Sequence, residues 1–135
     1  MPDANLATAA VRRWVDALVA GDWTALAETI AEEHRLEDRR LGMKGVLDKA
    51  GNIKQAQVIR ALGDLVVDVD FLETRGDRFA LVRQTYRASE FEVTILGVCE
   101  VDDAGRVVAF INLDEDDLDA ARATLDALGS AGATP

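Results

Sequence analysis

Two polar residues, Arg83 and Asn112, stand in stretches otherwise rich in Val, Ile, Leu and Phe, LVRQTY at 81–86 and VVAFINL at 107–113. Polar groups buried among such neighbours must be hydrogen-bonded. A guanidinium fork suits a ketone or carboxylate on a bound molecule, and an Asn amide can serve a donor or an acceptor. For Arg83 an internal ion pair with Asp38 is an equal alternative, because buried charges are rarely left unpaired. Asp38 is followed directly by Arg39 and Arg40, cations that suit a structural or ligand-orienting carboxylate. His34 follows Glu32 and Glu33 and reads as a solvated residue at a helix end. With one His and one Cys in the chain, a zinc site is not expected. Cys99, within a β-like run, reads as a small buried hydrophobe. The acidic run Asp114–Asp119 lacks the spacing and central Gly of a calcium loop and fits the first turn of a helix instead. No metal or cofactor is expected.

The elements that must position these residues centre on Phe91–Leu113, in which two apolar runs flank the turn Asp102-Asp103-Ala104-Gly105. Asp early and Gly last are the marks of a hairpin turn. Both arms carry apolar residues on both pleat faces, so the sheet needs cover on two sides. The chain's helices are expected to cover one, and a second subunit the other. Before the hairpin, apolar spacing predicts a helix over 5–20 capped by Asp3 or Asn5, and a shorter one from Trp23 through Ile30 capped by Asp22. A first strand is predicted at His34–Arg40, a loop at Gly42–Gly51, and a third helix opened by Asn52 with Gln55 and stopped by Gly63. Leu65–Thr74 and Arg78–Arg87 alternate as antiparallel strands. Asp114 caps a last helix ended by Gly129. The predicted order is ααβαββββα, with one domain over 1–128 and a frayed tail over 129–135.

The chain has 135 residues, 49% of them hydrophobic and 30% charged, as expected of a single globular domain. A net charge of −10 repels phosphate backbones and anionic lipid, so neither nucleic acid nor membrane is an expected partner. The opening MPDANLATAAV lacks a cationic segment followed by an apolar one, and the expected location is cytoplasmic.

The order of elements resembles the nuclear transport factor 2-like superfamily, which includes ketosteroid isomerases, SnoaL-like polyketide cyclases and limonene-epoxide hydrolases. The resemblance rests on WVDALVAGD at Trp14–Asp22, LED at Leu36–Asp38, ILGV at Ile95–Val98 and GRVV at Gly105–Val108, in that order. It implies an α+β cone, a curved and mostly antiparallel sheet wrapped around helices with an interior pocket, in many members a homodimer. Asp38 falls where ketosteroid isomerases keep their general base. Trp14 stands at that enzyme's oxyanion-hole Tyr, and Gly97 at its second acid. Relative to the epoxide hydrolases, Arg83 matches the Arg of an Asp-Arg-Asp site, while Thr85 and Asn112 replace its two acids. Asn112 also replaces the last-strand acid of the cyclases. Neither Thr nor Asn can take up a proton as a carboxylate does.

The resemblance therefore implies a small-molecule-binding SnoaL-like domain, non-enzymatic or vestigial, that holds a mostly apolar ligand. Its pocket would be formed by Arg83, Asn112, Thr85, Trp14, Phe110, Ile95 and Gly97. EDRRLG and DEDDLDAA also resemble such domains in actinobacterial regulators, which would make this a sensor module. The alternative is an acid–base enzyme, an isomerase, cyclase or epoxide hydrolase, with Asp38 as base. A dimeric scaffold with a collapsed pocket comes third.

Overall fold

The computed structural model describes residues 4–133. Four helices and six strands follow in the order α1 (Leu6–Ala20), α2 (Trp23–Glu28), β1 (Ile30–Asp38), β2 (Gly45–Leu47), α3 (Lys49–Arg60), β3 (Val66–Arg75), β4 (Phe79–Ala88), β5 (Phe91–Val101), β6 (Val107–Asp114) and α4 (Leu118–Ala133). One sheet holds all the strands in the order β2-β1-β6-β5-β4-β3. Only β1 and β6 run parallel. The sheet is mostly antiparallel and the fold is α+β.

Local signals set most of these boundaries. Asn5 caps α1 in a reciprocal box with Thr8, and Asp22 caps α2 through Ala25 N. Asp102 Oδ1 accepts from Ala104 N and Arg106 N, and Gly105 at φ 79° closes the β5–β6 turn. Elsewhere the chain departs from expectation. α2 stops at Glu28, so Ile30 opens β1. Asp48, not Asn52, caps α3, because its side chain accepts from Gly51 N and leaves Asn52 inside the helix. The expected loop over 42–51 contains β2, three residues paired to the end of β1. Gly129 lies within α4, which continues to Ala133, while Asp3 and the last two residues lie outside the described residues.

The sheet has two covered faces. α1 and α3 pack on the concave face, on Ala80, Val82, Tyr86, Ala88, Ile95 and Cys99. α4 packs on the convex face, setting Ala121 and Leu125 against Phe79, Leu81, Leu96, Val98, Ile111 and Leu113. The chain's own last helix thus covers the apolar face that suggested a second subunit. α4 lies chiefly over β4 and β5.

Candidate functional site

The concave face and the helices over it enclose a cavity of about 460 Å³, within the roughly 300–1,000 Å³ common to small-molecule sites. Val11, Ile30, Leu36, Ile95, Val107 and Phe110 give it an apolar wall. Polar side chains break that wall at His34, Arg40, Asn52, Gln84, Tyr86 and Asn112.

His34 reaches the cavity through an irregularity in β1. Ile30 is paired with Val107 but Arg35 already with Ala109, so extra β1 residues bulge between them. After the bulge, His34 and Leu36 point inward and Arg35 outward, as a bulge that re-aims side chains does. His34 is 4% exposed. Its Nδ1 lies 3.0 Å from the Val107 carbonyl and its Nε2 2.9 Å from Asn52 Nδ2. Burial, the largest influence, pulls its pKa below the ordinary 6.5 against the Val107 bond that raises it, so the ring is neutral at pH 7. A carbonyl only accepts, so Nδ1 carries the proton and the bare Nε2 accepts from the Asn52 amide. A solvated His34 at a helix end is therefore corrected to a buried cavity residue in a strand.

Gln84 and Tyr86 come from β4, two residues apart and so on one face. The Tyr86 hydroxyl donates to Gln84 Oε1 at 3.2 Å. Burial pushes the Tyr86 pKa upward and keeps the phenol neutral. Gln84 is 2% exposed and Asn52 6%. Among the described residues neither Gln84 Nε2 nor Asn52 Oδ1 has a partner. Trp14 lines the cavity with its ring, but its Nε1 is enclosed and unpartnered.

The residues singled out from the sequence are divided by the sheet. Asn112, Phe110, Ile95 and Trp14 line the cavity. Gly97 lies beneath it, since a Cβ there would come within 2.4 Å of the Phe110 ring. Gly97 thus lets Phe110 lie flat on the sheet. Arg83 and Thr85 are not in the cavity. They alternate with Gln84 and Tyr86 and so occupy the convex face, where Arg83 faces Asp70 at 3.7 Å and Thr85 Oγ1 meets Thr94 Oγ1 at 3.0 Å. The Arg83–Asp38 pair is absent as well. Asp38 is paired in register with Asn112, but its carboxylate is taken by Arg40, whose Nη2 lies 2.6 Å from Oδ2 and Nε 2.9 Å from Oδ1. The backbone N–H of Arg40 adds a third bond, at 3.0 Å. Cys99 is wholly buried, which pushes its thiol up to about 12 and makes it inert.

Solved structures share this fold. A Delta 5-3-ketosteroid isomerase from Mycobacterium sp. superposes with a TM-score of 0.69 at 16% identity, over 84% of this chain and 96% of its own. The chain has the nuclear transport factor 2-like fold. A LEH-like epoxide hydrolase from M. tuberculosis matches at TM-score 0.56 and 19% identity, over 88% of each chain. A computationally designed 17-OHP binder matches at TM-score 0.64 and 18% identity, over 82% of this chain and 91% of its own. No family model and no curated sequence matches the chain. Because the nuclear transport factor 2-like cone carries an isomerase, a hydrolase and a designed binder, the fold alone does not choose among them. Among the described residues, no helix is long and apolar enough to cross a membrane.

Proposed function

We propose that this protein holds a small, mostly apolar molecule in the cavity of its cone and does no chemistry on it. The observation that carries the reading is a pair of buried amides, Gln84 and Asn52, each with unspent hydrogen-bonding capacity on the lining of an apolar cavity. A hydrogen bond from a fitting ligand to either amide is worth a net of about 0.5–1.5 kcal/mol. The position that resembles the isomerase base is occupied by an ion pair, since Arg40 takes both carboxylate oxygens of Asp38. The positions that resemble the hydrolase Arg and one of its acids lie across the sheet, outside the cavity. The net charge of −10 supports a role away from nucleic acid and anionic lipid.

Catalysis by Asp38 is the second reading, favoured by its place beside Asn112 on the cavity side of the sheet. It requires Arg40 to withdraw.

A thermal-shift screen of apolar ketones and alcohols tests the proposal. A compound at one hundred times its Kd should stabilise the fold by about 2.7 kcal/mol. A panel spanning cavity-sized molecules that leaves the melting curve unmoved would overturn it.

A further inference from the structure

Two of the amides that line the cavity, Asn52 and Gln84, are each oriented by a neighbour, and that orientation selects a ligand chemistry. Val107 carbonyl fixes the proton of neutral His34 on Nδ1. Nε2 is then an acceptor, so Asn52 must turn its Nδ2 toward it and leave Oδ1 for the cavity it lines. Tyr86 sets Gln84 the other way. A buried phenol needs an acceptor, and among the described residues Gln84 Oε1 is the one its hydroxyl finds. Nε2 of Gln84 is left as a donor. Thus α3 contributes an acceptor and the sheet contributes a donor, both from side chains more than nine-tenths buried.

Resting on the proposed binding function, we infer that the bound molecule is an apolar hydroxyketone, its hydroxyl donating to Asn52 Oδ1 and its carbonyl accepting from Gln84 Nε2. A diketone would set two acceptors face to face at Asn52, and a molecule without the hydroxyl would leave Oδ1 unpaired.

The preference depends on the charge of His34. Asp48 and Lys49 act on the ring from the start of α3, Arg40 stands on the cavity wall, and Glu32 and Glu33 precede it on β1. When His34 gains a proton, Nε2 becomes a donor and Asn52 must turn over to accept from it. Asn52 then offers an NH2 to the cavity. In acid, the site that accepted a hydroxyl becomes one that donates to a carbonyl.

Calorimetric titration of the whole chain with a hydroxydecalone, the decalone lacking its hydroxyl and the decalindione tests the inference. At pH 8 the hydroxyketone should bind about tenfold more tightly than either, and the advantage over the dione should vanish at a pH below the His34 transition. Asn52→Leu should abolish the advantage, and the pH dependence of the wild type supplies the same comparison without a substitution. Equal affinity for the three probes at pH 8 would overturn the hydroxyketone assignment and leave cavity binding standing. Absence of binding by all three would overturn both.

Discussion

Protonating His34 is harder in the folded chain than in the unfolded one, because the ring is buried and its pKa is lowered from 6.5. Between that lowered value and 6.5 the unfolded state holds more protons, so stability falls as pH drops through this window and levels off below it. Denaturant midpoints measured from pH 8 downward should show the loss, and His34→Gln should flatten it. The lone imidazole also gives an isolated NMR titration, expected to turn over below 6.5. Arg83→Met should leave ligand affinity unchanged and move stability by less than about 1 kcal/mol, since its partner Asp70 is 3.7 Å away and well exposed and Arg83 itself is partly exposed. Calorimetry beside a urea melt measures both quantities. Arg83 attracts attention as a charge among apolar residues, yet its neighbour Gln84 is the one that enters the cavity. Strand alternation made the choice legible, for Ala80, Val82 and Tyr86 share a face with Gln84, but which face is concave depends on how the sheet curls. His34 was masked by Glu32 and Glu33, whose exposure is produced by a bulge that alternation alone does not foretell.

At the scale of elements, α4 and the β5–β6 hairpin support each other. Leu125 is wholly buried against the convex face, and Leu125→Ala should cost about 2–5 kcal/mol in a denaturant melt. Ending the chain before α4 should expose Leu81, Leu96, Val98, Ile111 and Leu113 together, and light scattering should report aggregation. On the concave side, Gly97→Ala should cost about 1–3 kcal/mol by overpacking, because its Cβ would overlap the Phe110 ring at 2.4 Å. The displaced ring would also take up cavity space and weaken binding. The hairpins, the helical stripes and the order of elements apart from β2 were legible because periodicity and turn chemistry are local, whereas the parallel pairing of β1 with β6 is not. The cap of α3 was not, since Asp48 and Asn52 are both good caps and only the pairing of β2 with β1 places the start one turn earlier. A second subunit was expected on the face where α4 packs, because a two-sided strand does not say whose residues lie on it.

In the molecule as a whole, a cone encloses about 460 Å³ and carries amides left unspent on its lining. The cavity was expected from the order of motifs, but its polar residues come largely from elements whose curvature and bulges are set by packing. Blocking the space without touching those amides isolates the claim. Val93 is half-buried on the cavity wall, and Val93→Trp should fill part of the room while the fold stands. Calorimetric titration of the decalone into wild type and Val93→Trp, with a urea melt to confirm that both are folded, is the most direct measurement. Saturable one-site binding to the wild type is expected, with at least about tenfold weaker binding to the filled variant, the equivalent of about 1.4 kcal/mol. Equal affinity for the two, or no binding to the wild type, would contradict it.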